Sequence, residues 1–281
     1  MKKIHAALRF LVLYAALGFL VLSVVVSPLG IQSALAFNPD EEGHLGITSE
    51  AIRGNSVVSP SKPIVSPLER VVNSVKLRFS DTALQEIRDA NRSTDFSTTF
   101  LDPEKHFDNE EFFNGTTRLV EFKNYIIGQI TNPFFPNGAN ARIALGGALH
   151  TIQDFYAHTN WVDLSSLPVI DSRLGRTTFD SPNPKSTPTS PTNDPSTLLP
   201  GLTQLTSGYF TVSSPCSAPP GKTRHGSFIC PTGLNKDEPG RVGYNKARRL
   251  AVIASQDYIN QILDAPGVAG NANAIRILMG I

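Results

Sequence analysis

Leu145 to Trp161 reads LGGALHTIQDFYAHTNW, an apolar run interrupted by His150, Asp154 and His158 at intervals of four. At 100° per residue these three positions fall within an arc of roughly 80° on one helix face. The run from Ala139 to about Ala157 is otherwise apolar nearly all round, the pattern of a helix buried in the middle of a bundle. Ionisable groups buried there without partners would be strongly unfavourable, whereas metal coordination would compensate for the cost. The stripe is therefore a hydrogen-bonded polar network or a metal site. As a metal site, His150 and Asp154 offer two ligands one turn apart, and the two oxygens of Asp154 could bridge two metals while His150 and His158 serve one each.

Working outward, HLGITSEAIRG at 44–54 reads as a short helix closed by Gly54, and SVVSPSKPIVSP after it as a proline-broken loop. LERVVNSVKLRF and DTALQEIRDANR have apolar residues at i, i+3, i+4 and predict a helical pair. Residues 109–131 predict a longer amphipathic helix starting after Gly115, with Thr116 or Thr117 near its cap. Residues 163–224 are rich in Pro, Ser and Thr and predict solvated loop. The helical period resumes in VGYNKARRLAVIASQDYINQILDAP and closes at Pro266. No internal repeat or coiled coil interrupts this, so residues 37–281 are expected to form a single all-α domain with a loop-rich insertion at 163–224.

The first 36 residues have Lys2, Lys3 and Arg9 ahead of an apolar run and Ala34-Leu35-Ala36 after it, the layout of a secretory signal. The apolar stretch from Phe10 to Val26 is 17 residues, so an uncleaved membrane anchor is the alternative. A secreted or periplasmic location is expected, with membrane anchoring through residues 10–26 as its rival. Cleavage would leave 245 of the 281 residues, with 22 Lys and Arg against 24 Asp and Glu. Nothing in that balance asks for nucleic acid. Cys216 and Cys230 are the two cysteines, and in an oxidising compartment they are expected to form a disulfide that brackets His225.

Beyond the signal lie His44, His106, His150, His158 and His225. Asn91-Arg92-Ser93 and Asn114-Gly115-Thr116 fit glycosylation sequons. Phe107, Phe112, Phe113, Phe155, Tyr156 and Trp161 suit core packing better than a substrate cleft. GxSxG elbows, Walker loops and dinucleotide fingerprints are absent.

The HxxxD pair followed by His158 resembles the motif of zinc-dependent phospholipase C enzymes and single-strand-specific zinc nucleases. GGALHTIQDFYAHTNW, HFDNEEF and GLNKD together resemble the heterokaryon-incompatibility C (Het-C) family more closely, over roughly residues 37–160 and 225–263. The resemblance implies a multi-helix bundle of phospholipase C type around three zinc ions. It implies that the terminal amine of Phe37 and His44 share one zinc, and that His106 follows a liganding aspartate, Asp95 first and Asp89 second. His150 and Asp154 are the implied central pair, with Asp154 as the bridge, and His158 and His225 are the next histidines. The glutamate expected one turn after His225 is replaced by Ile229, with Asp237 the substitute.

On that resemblance the expected function is a secreted, zinc-dependent phosphodiester hydrolase, with a membrane surface as a candidate partner. Metal-bound hydroxide would attack phosphorus, with Asp95 or another nearby carboxylate orienting or deprotonating the water. Phospholipid is preferred over nucleic acid as substrate because the chain is not basic. The rival is a Het-C-like recognition protein whose metal cluster is structural.

Overall fold

The computed structural model of the chain describes residues 40–99, 101–164, 169–179, 205–210, 216–226, 230 and 232–281. The expected signal or anchor at 1–36, the Phe37 amine, Ile229 and much of the 163–224 segment lie outside the described residues. No described helix is long and apolar enough to cross a membrane.

The described residues are predominantly helical. Helix α1 spans His44–Arg53 and ends at Gly54, whose φ of 80° suits glycine. A hairpin follows, β1 Glu69–Val72 and β2 Val75–Arg78, paired antiparallel with Val72 opposite Val75. Then come α2 Asp81–Phe96, α3 Pro103–His106, a 3₁₀ turn Asp108–Glu110, α4 Phe112–Thr131 and α5 Gly138–His158. The series closes with α6 Trp161–Leu164, α7 Tyr244–Leu263 and α8 Ala272–Met279.

Helix α5 is the axis of the bundle. Every residue from Ala144 to His158 is buried, and α2, α4 and α7 pack around it. The Gly146-Gly147 pair allows this approach: a Cβ on Gly146 would lie 2.4 Å from the Ile87 carbonyl oxygen of α2. Asn137 caps α5 by accepting from the Asn140 amide, as Ser80 caps α2 by accepting from Ala83. Phe107, Phe112, Phe155, Tyr156 and Trp161 are all in the core.

Three local expectations are corrected. LERVVNSVKLRF is the β-hairpin, not a helix: Asn73 and Ser74 have φ of 51° and 65°, and the flanking ERVV and VKLR are rich in β-branched valine. The chain is therefore not strictly all-α. Helix α4 begins at Phe112, before Gly115 rather than after it, and the Phe107 ring lies 2.6 Å from where a Gly115 Cβ would be. Helix α8, beyond Pro266, was not expected; Asn271 caps it by accepting from the Ala274 amide, and Ile275, Leu278 and Met279 bury its inner face.

Cys216 and Cys230 form the expected disulfide, with their Cα atoms 5.5 Å apart.

Candidate metal centre

Eight of the nine residues expected to bind metal converge inside the bundle: His44, Asp95, His106, His150, Asp154, His158, His225 and Asp237, none more than 4% exposed. Phe37 lies outside the described residues. Asp89, the second choice beside Asp95, is exposed and accepts from Gln85 on the surface. Asp108 joins the cluster although the sequence reading passed over it.

The side chains form three groups whose donor atoms lie within 4.8 Å of one another: His44, His150 and Asp154; Asp95, His106 and His150; Asp108, His158 and His225. Asp154 spans the first two. Its Oδ1 is 3.2 Å from His44 Nε2, while its Oδ2 is 2.8 Å from His106 Nδ1 and 3.0 Å from His150 Nε2. Asp95 Oδ1 is 3.4 Å from His150 Nε2. In the third group Asp108 Oδ1 is 3.0 Å from His158 Nδ1 and 3.7 Å from His225 Nε2. Asp237 Oδ1 adds a contact of 3.2 Å to His158 Nε2.

The contact between His106 Nδ1 and Asp154 Oδ2 is a hydrogen bond, while several of the other polar atoms have no such partner. Both oxygens of Asp95, Oδ1 of Asp108 and Asp154, and Nε2 of His158 and His225 are buried and make no hydrogen bond among the described residues. Donors at about 2.1 Å from a tetrahedral zinc ion sit about 3.4 Å from one another, close to the spacings found here. Orphaned buried acceptors in such number are otherwise costly.

The outward nitrogens of two histidines are already committed. His44 Nδ1 donates to Gln153 Oε1 at 2.6 Å, and His150 Nδ1 donates to Asn91 Oδ1 at 3.2 Å. Gln153 in turn accepts from Asn91 Nδ2 and donates to Thr48 and Ser255 hydroxyls. This fixes both rings with Nε2 facing the cluster, as outer hydrogen bonds do for metal-ligating histidines. Asn91 is thus a buried strut, and its sequon is not on the surface; Asn114 of the second sequon is exposed. Arg248, buried and forked onto Glu50 and the Glu42 carbonyl, anchors the helix that carries His44.

The electrostatics of the cluster's own side chains are sharply uneven. Burial pulls the His44 imidazole down, but the Asp154 and Asp95 carboxylates outweigh it and raise it to about 9. Burial raises Asp95 to about 7 against the pull of His44 and His106. Asp154, opposed by burial, is held well below the ordinary carboxylate range by His150, His44 and His106. Burial lowers His150 to about 3, and burial with the neighbouring His158 lowers His225. Despite burial, His106 is raised by Asp154, and His158 is raised by Asp108 and Asp237. Protons here do what a cation could do: they neutralise buried carboxylates.

The class defined by this scaffold and site is a helical domain with a buried histidine–aspartate cluster competent to bind metal. The profile of the VWA7 N-terminal domain matches residues 68–271, and the chain belongs to that family. Similar proteins are human von Willebrand factor A domain-containing protein 7, 33% identical over 192 residues that make up 62% of this chain and 21% of the human protein, and its mouse counterpart, 33% identical over 171 residues, 58% and 18%. The rat protein of the same name is 30% identical over 215 residues, 69% of this chain and 23% of its own. The chain thus spans about a fifth of the length of these relatives. No solved structure matches it.

This membership corrects the Het-C and phospholipase C resemblance. The resemblance rested on short motifs, and the match over 68–271 belongs to another family. With it falls the reading as a secreted zinc-dependent phosphodiester hydrolase, the role of Asp95 as its catalytic base, and the Het-C-like recognition rival.

Proposed function

We propose that this domain is a metal-binding module whose buried cluster holds two or three divalent cations, zinc by preference, and whose folded state depends on them. The observation that carries the reading is the convergence of buried, hydrogen-bond-free donor atoms from His158, His225, Asp95, Asp108 and Asp154. Imidazole and carboxylate without thiolate suit zinc or another first-row divalent ion. His44, His150 and Asp154 would hold one ion, Asp95, His106 and Asp154 a second, and Asp108, His158, His225 and Asp237 a third. Bound cations would offset the burial of four carboxylates that protons alone neutralise in part.

A disulfide supports residence in an oxidising compartment, outside the cytosol. Elemental analysis of protein purified without chelator tests the reading. Two to three equivalents of zinc are expected, with a fall in Tm on chelation; folded protein with less than about half an equivalent would overturn it.

A further inference from the structure

Arg118, on α4, is a part-buried cation whose guanidinium meets no carboxylate among the described residues. Its guanidinium is set by a donation from Nε to Thr151 Oγ1 at 3.2 Å and lies over the Phe122 ring, 4.4 Å from the centroid. Among the described residues it makes no ion pair, while Arg142, Arg176 and Arg248 each fork or donate onto a carboxylate. Glu104, Asp102 and Glu121 act on Arg118 only through space, and Asp102 is already paired with Lys105. Burial lowers the guanidinium's pKa, an effect that these more distant carboxylates offset only in part.

That cation borders a cavity of about 470 Å³ between α2, α4 and α5. Ser93 and Ser97 of α2 and Asn140 of α5 supply polar groups to its wall, and Phe122, Tyr125 and Ile143 supply apolar ones. Tyr125 is 46% exposed and Ile143 57%, the latter standing out on a helix buried almost throughout. None of the proposed metal ligands lines the cavity. A planar five-donor fork held by one hydrogen bond and one ring, facing a cavity of ligand size, is built to receive an oxyanion.

We propose that this cavity is a binding site for a small organic anion, a carboxylate or phosphate group on a ring-sized apolar body, with Arg118 taking the anionic group and Phe122, Tyr125 and Ile143 the body. Lys105 is not the recognising cation, since Thr99 and Asp102 already occupy it. None of its lining residues is a proposed metal ligand, so anion binding and metal content are separate readouts on folded protein and either proposal can fail alone.

Isothermal titration calorimetry with benzoate, phenyl phosphate and benzyl alcohol on the full chain tests it, with metal content measured alongside. Saturable binding of one or both anions and none of the alcohol is expected; the stronger of benzoate and phenyl phosphate tells carboxylate from phosphate. Arg118→Met should weaken binding about tenfold or more, and Arg118→Lys, which keeps the charge and loses the fork, by less. Because Arg118→Met removes a packed side chain, Ser93→Trp at the exposed rim serves as the second variant, and it should block binding while leaving Tm and metal content unchanged. No saturable binding of either anion by wild-type protein up to about 10 mM would overturn the proposal, as would binding that survives both Arg118→Met and Ser93→Trp.

Discussion

The two ends of the cluster are built in different ways. His44, Asp95, His150 and Asp154 stand on α1, α2 and α5, three helices whose faces are locked by core packing and by the Asn91–Gln153–Thr48 hydrogen bonds. Asp108, His225 and Asp237 stand on loops. Asp108 sits in a turn where Phe107, Asn109 and Glu110 all have positive φ, between 55° and 59°. That turn is tied to the 205–210 segment by Asn109 N to Gly208 O and by Glu110 N to Ser207 Oγ. His225 is held by backbone bonds to Tyr209 and Asn235, and Gly208 lies so close that a Cβ would be 2.4 Å from His225 Cα. Helices place donors by periodicity alone, whereas loops place them only when many distant bonds agree. The loop half should therefore be the weaker and more easily uncoupled one.

Asp154→Ala should have the largest effect. It removes the carboxylate shared by two groups and leaves His44, His106 and His150 facing one another. A loss of at least two metal equivalents and about 3–5 kcal/mol of stability is expected, read by elemental analysis and denaturant unfolding. If metal content were unchanged, the helix half would be only a polar network.

Replacing both cysteines, Cys216→Ser with Cys230→Ser, should cost about 3 kcal/mol by chain entropy across the 14-residue separation. The comparison predicts that this variant loses one equivalent, from the loop half, and keeps the rest. Equal loss from both halves would erase the distinction drawn here.

A pH series is the third test. His44 lies above its ordinary 6.5, so its contribution to the stability of the metal-free protein is complete below 6.5 and is lost as pH rises through about 9. Metal must displace that proton, so affinity should rise between pH 7 and 9, about tenfold per unit for each proton displaced. The helix half has two raised imidazoles, His44 and His106, and the loop half one, His158, so competition with a chelator should show the steeper slope for the ions held by helices.

Asp89→Ala should do least: metal content unchanged and stability within about 0.5 kcal/mol of wild type. Asp89 is on the same helix as Asp95, yet six residues is not a whole number of turns, and its side chain faces solvent. A measurable loss of metal would mean that the wrong carboxylate faces the cluster.

The sequence by itself determined the central helix, its cap-to-cap extent within a residue or so, and the common face of His150, Asp154 and His158, because 3.6-residue periodicity is a local property of the chain. It also determined the cysteine pairing, since two cysteines have one pairing to make. It misled at LERVVNSVKLRF, where a four-residue strand satisfies a helical pattern by chance, and in the family resemblance carried by short motifs. Asp108, Asn91 and Arg118 were legible only in the folded molecule. Asp108 reaches His158 and His225 through a left-handed turn that Phe107 and Glu110 disfavour, Asn91 looks like a surface sequon until α5 covers it, and Arg118 looks like one more charge on an amphipathic helix. Whether a polar side chain is a ligand, a strut or a solvated charge depends on what packs against it, and that is decided by contacts between residues far apart in the chain.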